Sequence, residues 1–217
     1  MIVAIDGGVA SGKSAVGRRV AEALGLPFID SGLMYRAITR LAVERGIDAH
    51  DAETLTELAS STDIRIEGDR VWADGNELTE RIFDSDYADA LPAVSATPGV
   101  RDALLEKQRA TGEHGVVMAG RDIGTVVFPS ADHKFFLTAS LGEKVRRRAA
   151  QYERRGEAVD EEAMRKEVEL RDRLDSERAV APLKPAEDAV IIDTDDLSLD
   201  DVVDTVLVEI QDTVGGE

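Results

Sequence analysis

The segment Asp6–Ser14, which reads Asp-Gly-Gly-Val-Ala-Ser-Gly-Lys-Ser, constrains the fold of this chain more than any other stretch. It matches the phosphate-binding pattern G-x-x-x-x-G-K-[ST]. The apolar run Ile2–Ile5 before it is typical of a parallel strand buried on both faces, and Val16, Val20 and Leu24 after it recur at helical spacing. Strand, glycine-rich loop and helix therefore follow one another in the order that cradles the phosphates of a nucleoside triphosphate.

The residues of this loop have distinct expected roles. The glycines let backbone N–H groups turn toward phosphates, Lys13 lies exposed on the loop and reaches the β and γ phosphates, and the Ser14 hydroxyl ligates Mg²⁺. The alternative is a glycine-rich turn that merely joins a strand to a helix, which four matched positions in this context disfavour. The expected nucleotide-binding residues are Gly7, Gly8, Ala10, Ser11, Gly12, Lys13 and Ser14.

Composition narrows the function classes. A chain of 217 residues with 43% apolar residues can form one core that carries a small inserted subdomain. Because the chain has no Cys and its three His are scattered, disulfides and structural zinc are not expected. The formal charge of −18 argues against DNA or RNA as a partner. No apolar run is long enough to span a membrane, and Met1 leads directly into the first strand, so we expect a cytoplasmic protein.

The remaining sequence alternates between strand and helix patterns, as in an α/β fold with a parallel sheet. Four further strands are predicted at 27–30, 115–119, 134–139 and 189–193, with helices at 31–44, 52–60, 86–94, 99–110, 141–155, 161–178 and 199–211. Between 63 and 78 the pattern has period two and tight turn signals, which predicts a small antiparallel meander. The fold class is therefore α/β, with a five-stranded parallel sheet and an antiparallel insert over about residues 60–90.

Two pairs of polar residues follow predicted strands. Ser31 is a candidate N-cap of the helix that also carries Arg36, and the two could share an anion, although an ordinary capped helix with a solvated Arg explains them equally well. Arg121 and Asp122 come directly after the strand 115–119. Because ligands of open α/β sheets bind at the carboxyl ends of the strands, these two residues are candidates for a binding site, with a structural salt bridge as the alternative.

Two charged helices follow. The helix 141–155 is basic and could be a mobile arm that closes on phosphates or simply a solvated helix. In the helix 161–178, Arg171, Asp175 and Arg178 recur at i, i+4 and i+7 and therefore share one face. Surface ion pairs are the usual explanation for this spacing.

Four segments together resemble bacterial cytidylate kinases: the glycine-rich loop, Asp30–Arg36, Gly120–Pro129 and Arg171–Leu183. The resemblance runs along nearly the whole chain. It implies a P-loop NTPase fold and transfer of the γ-phosphoryl group of ATP to CMP or dCMP, giving CDP or dCDP, with Mg²⁺. It also implies one kinase domain over residues 1–217, with a core at about 1–59, 91–145 and 179–217, an acceptor insert at 60–90 and a short helical lid at 146–170.

The resemblance also implies roles for individual residues. One position departs from the family, since Pro92 stands where a Ser near the pentose is usual, which leaves the balance between CMP and dCMP open and makes Ser95 a possible substitute. In the family, the acceptor phosphate is held at positions Ser31, Arg36 and Arg121, the cytosine at Arg101, Asp122 and Arg178, and the pentose at Arg171 and Asp175. The expected catalytic residues are Lys13, Arg121 and, from the lid, Arg147.

Catalysis in such an enzyme needs no general base, because the acceptor oxygen is already ionised; it depends on in-line positioning and on neutralising charge. We expect the protein to act as a monomer. Two other functions fit the loop alone: a small-molecule kinase with another nucleotide or an alcohol as acceptor, and a nucleotide-sensing switch. The Gly-Arg-Asp segment at 120–122 weakens the first, and the lack of an N-K-x-D guanine-reading motif weakens the second.

Overall fold

The computed structural model describes residues 1–83, 87, 89–154, 156 and 158–214. In chain order the elements are β1 (Ile2–Gly7), α1 (Lys13–Leu24), β2 (Phe28–Asp30), α2 (Gly32–Glu44), α3 (Ala52–Ser61), β3 (Ile64–Glu67), β4 (Arg70–Ala73), β5 (Asn76–Glu77), α4 (Leu91–Ala96), α5 (Pro98–Ala110), β6 (Val116–Gly120), β7 (His133–Thr138), α6 (Leu141–Arg154), α7 (Glu161–Glu177), β8 (Val190–Asp193) and α8 (Leu199–Val214). A π-helical turn, Ile123–Val127, follows β6.

The predicted parallel sheet is confirmed. Its five strands lie in the order β2-β6-β1-β7-β8, and every neighbouring pair is parallel. The central strand β1 is bonded on both edges, and its register places Asp6 beside Gly120 of β6. As a result, the loop after β1 and the loop after β6 leave the same edge of the sheet side by side.

Two apolar layers hold helices on the faces of this sheet, because successive side chains of a strand point to opposite faces. Val3 and Ile5 face a buried cluster shared with α1 and α8. Ala4 and Met118 face a second cluster that includes Ile123 of the π-helical turn. Both clusters lie directly beneath the edge where the polar loops converge, so they fix the spacing of those loops.

The predicted meander is also confirmed as a three-stranded antiparallel sheet in the order β3-β4-β5. Its apolar side, with Val71 and Ala73 buried, packs on Leu33 and Ala37 of α2. Trp72 lies on the other side, between the guanidinium groups of Arg65 at 4.4 Å and Arg70 at 4.9 Å from the ring centre. The insert therefore rests on the same helix that carries Arg36.

The helices α6 and α7 form a hairpin with an apolar cluster of its own, in which Val145, Met164 and Val168 are buried. Val9 of the glycine-rich loop packs against this cluster. The hairpin thus covers the loop instead of projecting into solvent.

Several details differ from the sequence-based expectations. The helix predicted at 86–94 is the shorter α4, which begins at Leu91; Pro92 stands in its first turn, where a missing N–H costs nothing. The predicted beginning of that helix at Asp86 and the predicted end of the basic helix at Arg155 lie outside the described residues. Among the residues that are described, no helix is long and apolar enough to cross a membrane.

Ser31 stands at the N-cap position of α2, as predicted, but its side chain makes no capping hydrogen bond. Ser31 has helical backbone angles, and its hydroxyl donates to the carbonyl of Ala119 at 3.0 Å. Asp30 Oδ1 accepts the N–H of Gly32 at 2.9 Å instead. The Asp30 carboxylate at the end of β2 thus accepts a backbone N–H at the beginning of α2. The Ser31 hydroxyl connects the beginning of α2 to the end of β6.

Candidate active site

The glycine-rich loop wraps the beginning of α1 and exposes several N–H groups on its inner side. Two of its residues have left-handed backbone angles, Ala10 with φ 54° and Gly12 with φ 91°. Gly7 cannot be replaced by a larger residue without a clash, because a Cβ there would lie 2.6 Å from the carbonyl oxygen of Leu137 and from Ser11 Oγ. These features give the concave backbone that binds anions.

Lys13 is buried, with 8% of its surface exposed, and the expectation that it lies exposed on the loop is wrong. Its ammonium folds back under the loop and donates to the carbonyl of Gly8 at 2.9 Å. Burial, followed by repulsion from Arg121, lowers the pKa of Lys13 to about 7. The ammonium therefore lies beneath a loop on which the hairpin α6–α7 packs through Val9, an arrangement that local sequence does not encode.

Ser14 is hydrogen-bonded to a carboxylate that the sequence analysis did not single out. Its hydroxyl donates to Asp30 Oδ2 at 2.7 Å. Asp30 is the last residue of β2. Ligands of open α/β sheets bind at the carboxyl ends of the strands, so this position is the signal that could have identified Asp30 from the sequence. Together Ser14 and Asp30 place two hard oxygen ligands at the helix end of the loop.

The end of β6 is held by a buried carboxylate of β1. Asp6 accepts the N–H of Ile123 through Oδ1 and the N–H of Gly124 through Oδ2, both at 2.8 Å. These two bonds fix the turn that follows Arg121 and Asp122. Desolvation outweighs the two hydrogen bonds and raises the pKa of Asp6 from 3.8 to about 6.

The raised pKa of Asp6 predicts a pH dependence of stability. The folded chain binds a proton at Asp6 more tightly than the unfolded chain does, because the pKa is about 6 in the first and 3.8 in the second. Protonation of Asp6 therefore stabilises the fold fully below pH 3.8, and this stabilisation is lost as pH rises to about 6. We expect the free energy of unfolding of the native protein, minus that of Asp6→Asn, to fall over this window by about 3 kcal/mol. Urea unfolding at a series of pH values measures this difference. The exposed Asp212→Asn is the control, and a flat difference for Asp6→Asn would show that Asp6 is not the titrating group.

Asp122 lies in a buried ion triplet and does not pair with its neighbour Arg121. It accepts a hydrogen bond from Arg101 of α5, and Arg178, just past α7, approaches it at 3.5 Å. Arg101 and Asp122 are 6% and 5% exposed. Burial, followed by repulsion from Arg101, lowers the pKa of Arg178. Arg101 also lies over the ring of Tyr35 at 5.3 Å.

Arg121 pairs with Asp175, the carboxylate of the predicted α7 face. Asp175 is hydrogen-bonded to Arg121, and Arg171 Nε donates to the same oxygen at 3.3 Å. Burial opposes ionisation of Asp175, but the charges of Arg121 and Arg171 outweigh it, and its pKa is lowered. Burial and the charge of Arg121 together lower the pKa of Arg171 to about 10. Arg171, Asp175 and Arg178 therefore face the end of β6 and not solvent.

Arg36 lies at the border between this cluster and the insert. Its guanidinium donates to the carbonyl of Ile82 and to the hydroxyl of Tyr87, both at 3.3 Å, and lies 5.4 Å from the ring centre of Phe83. It also contributes to the lowered pKa of Arg171, which places the two cations near each other. Five arginines thus converge on one space at the sheet edge: Arg36, Arg101, Arg121, Arg171 and Arg178.

Arg147 reaches the loop from the opposite side. It donates to the carbonyl of Ser11 at 3.3 Å, to the carbonyl of Thr194 at 2.7 Å and to the Thr194 hydroxyl at 2.9 Å, and it is paired with Glu143 at 2.6 Å. Beside it lies an open cavity of about 420 Å³. The lining of this cavity includes Ala10, Gly12, Ala150, Leu197, Leu199 and Val202.

Comparisons with known proteins identify the family of this chain. The family model described as "Cytidylate kinase" matches residues 3–212. The chain is 46% identical over 219 residues to the cytidylate kinase of Anoxybacillus flavithermus, and it covers 97% of that protein. It is 47% identical over 214 residues to the bifunctional pantoate ligase/cytidylate kinase of Synechococcus sp. strain JA-2-3B'a(2-13), of which it spans only 40%.

A solved structure supports the fold alone. The crystal structure of an uncharacterized protein from Eubacterium ventriosum matches with a TM-score of 0.53 and 13% sequence identity, over 97% of this chain and 98% of that one. The family assignment depends instead on the match over residues 3–212 and on the relatives above 40% identity. The chain therefore belongs to the cytidylate kinase family.

Proposed function

We propose that this chain carries out its reaction, the ATP-dependent phosphorylation of CMP and dCMP, in the space between the glycine-rich loop and the arginine cluster. One observation carries the proposal: Asp6 and Gly120 are paired in register, so the glycine-rich loop that leads to Lys13 and the segment that begins with Arg121 leave adjacent strands side by side. The repulsion between Lys13 and Arg121 contributes to the lowered pKa of Lys13. A buried cation and a half-buried cation that repel each other favour a bridging polyanion.

The donor occupies the loop. The N–H groups of residues 8–14 and the ammonium of Lys13 hold the phosphates of ATP, and the cavity of about 420 Å³ beside Arg147 accommodates the base and ribose. Arg147 already bridges the loop and the end of β8, and we propose that it neutralises donor charge as the lid closes.

Ser14 and Asp30 fit a bound Mg²⁺, because the hydroxyl and carboxylate are hard oxygen donors 2.7 Å apart. Within the described part of the chain, no group of three or more His, Cys, Asp or Glu could hold a metal by itself, so the phosphates would supply the other ligands. When bound, the ion neutralises charge on the transferring phosphoryl group.

The acceptor lies across the arginine cluster. Ser31, Arg36 and Arg121 hold its phosphate, and Arg171 and Asp175 contact the pentose. Asp122, Arg101 and Arg178 read the cytosine: the carboxylate accepts from the amino group, and Arg101 Nε, which is buried without a hydrogen-bond partner among the described residues, donates to the ring carbonyl. At Pro92, the carbonyl accepts from the Ser95 hydroxyl at 3.1 Å, so Ser95 is already engaged there.

Transfer then needs no general base. The ionised oxygen of the acceptor phosphate attacks the γ-phosphorus of ATP in line, and the bond to the β–γ bridging oxygen breaks, leaving ADP. Arg121 contacts both reacting phosphates, while Lys13 offsets the negative charge that develops on the equatorial and bridging oxygens. The hairpin α6–α7 excludes water, which would otherwise compete as acceptor.

We further propose that residues 1–217 act as one kinase unit, a monomer in the cytoplasm. Its core spans about 1–59, 91–145 and 179–217, its acceptor insert about 60–90 and its lid about 146–170. The acidic composition supports a partner list limited to ATP, CMP and dCMP, without nucleic acid.

An acceptor panel tests the proposal. With ATP and Mg²⁺ held constant, ADP formation is measured with CMP, dCMP, UMP, AMP, GMP and a sugar alcohol, and without acceptor. We expect turnover with CMP and dCMP to exceed that with every other acceptor by about a hundredfold, as expected for a site that hydrogen-bonds the base edge. Equal turnover with an alcohol, or ATP consumption without an acceptor, would contradict it.

A further inference from the structure

Asp172 of α7 reaches into the glycine-rich loop, although the reaction described above does not use it. Its Oδ1 accepts the N–H of Val9 at 2.9 Å. Its Oδ2 accepts from the ammonium of Lys144 in α6 at 2.6 Å. The contact requires glycine at position 8, because a Cβ there would lie 2.7 Å from Asp172 Oδ1.

The surroundings of this carboxylate are those of a phosphate. One oxygen lies on an N–H of the loop and the other on an ammonium, and the charge of Asp172 acts on both Lys13 and Arg121. A phosphate oxygen on a glycine-rich loop has the same kinds of partner: loop N–H groups and lysine. A triphosphate whose terminal group lies between Lys13 and Arg121 would therefore meet the Asp172 carboxylate, and two anions cannot share these donors.

We propose that Asp172 is a tethered anion that holds the place of the donor's terminal phosphate, and that Lys144 exchanges Asp172 for that phosphate when ATP binds. Lys144 is thus a further phosphate-binding residue of the reaction. The inference rests on the proposed function, since it takes ATP as the donor. It assigns the loop, Lys144 and Asp172 a shared role in distinguishing ATP from ADP, because only ATP carries the γ-phosphate.

Displacing Asp172 also acts on the acceptor site. On α7, Asp172 lies between Arg171 and Asp175; Asp175 is hydrogen-bonded to Arg121, and Arg171 donates to the same oxygen of Asp175. The charge of Asp172 also stabilises the charged form of Arg121, so moving this carboxylate off Val9 changes the electrostatic field at Arg121. Binding of ATP is thereby coupled to the arrangement that receives CMP.

Equilibrium binding of Mg·ATP and Mg·ADP to the full chain, measured by calorimetry without acceptor, tests the proposal. Lys144→Met should weaken ATP binding about tenfold and leave ADP binding unchanged, whereas Lys144→Arg should retain the ATP affinity. Asp172→Asn, which keeps the shape but not the charge, should strengthen ATP binding about tenfold relative to ADP. The control is Lys166→Met, which removes an exposed lysine of the same lid that is paired at 2.9 Å with Glu162.

If the contact between Lys144 and Asp172 only stabilises the lid, Lys144→Met and Asp172→Asn will each change ATP and ADP binding by the same factor, and that result overturns the proposal. Thermal melts of each variant separate this case from unfolding. This outcome is independent of the acceptor panel. A wild-type protein that fails to phosphorylate CMP refutes the proposed function, whereas the ratio of the affinities for ATP and ADP still tests the roles of Lys144 and Asp172.

Discussion

Lys13→Ala is expected to lower kcat for CMP phosphorylation by at least about a hundredfold, because it removes a preorganised cation from the transferring phosphoryl group. The burial of Lys13 strengthens this expectation, since a charge acts more strongly in a water-excluded site than in solvent. Its lowered pKa of about 7 shows that the ammonium is held at a cost from desolvation and from Arg121. The γ-phosphate relieves that cost, so binding favours the charged lysine.

The fold should survive the substitution. Within the described residues the ammonium makes one hydrogen bond, to the Gly8 carbonyl, and losing a desolvated charge offsets the loss of that bond. A steady-state assay and a circular dichroism melt on the same sample test both parts, with the exposed Lys166→Ala as the control. Retention of more than about a tenth of wild-type activity would refute the role of Lys13, because a loss of less than about tenfold is smaller than the loss typical of such groups.

Asp122→Ala is expected to lower kcat/KM for CMP far more than for UMP. Cytosine carries an amino donor where uracil carries a carbonyl, and a buried carboxylate facing a carbonyl costs a few kcal/mol, or a factor of about a hundred or more. Asp122 is 5% exposed and held between Arg101 and Arg178, so it cannot turn away from an unfavourable base. Removing it costs CMP a favourable contact and relieves UMP of a repulsion.

The same substitution leaves Arg101 and Arg178 without their shared carboxylate, which lowers stability and affects both acceptors. The measured quantity is therefore the ratio of kcat/KM for CMP to that for UMP, with melts to confirm folding. Asp122→Asn sharpens the test, because its amide can donate to the uracil carbonyl and should move the ratio furthest toward UMP. An unchanged ratio in both variants would mean that Asp122 only positions the two arginines.

Local chemistry made much of this site predictable. The loop Gly7–Ser14 is recognisable because its strand, turn and helix are adjacent in sequence, and each step has its own signal. The shared face of Arg171, Asp175 and Arg178 follows from helical spacing alone. The meander at 63–78 was predicted equally well, since period two and tight turns are local properties.

Pairing across the site was not predictable in the same way. Arg121 and Asp122 are neighbours in sequence, yet Arg121 binds Asp175, 54 residues away, and Asp122 binds Arg101, 21 residues away. Which cation meets which carboxylate depends on how α7 lies across the sheet edge. Spacing could show that these charges share a face, but not which partner that face meets.

Periodicity, turn chemistry and motif spacing act over a few residues, so they were sufficient to predict the parallel sheet and the glycine-rich loop, whereas the roles expected for the acceptor residues came from the family resemblance. The burial of Lys13 and the contact of Asp172 with Val9, 163 residues away, become visible only in the folded chain. The contact of Asp172 follows from the hairpin α6–α7 folding over the loop, and that placement is set by apolar packing among Val9, Val145, Met164 and Val168. Hydrophobic packing is non-directional, so its outcome depends on the whole chain and is not encoded in any one segment.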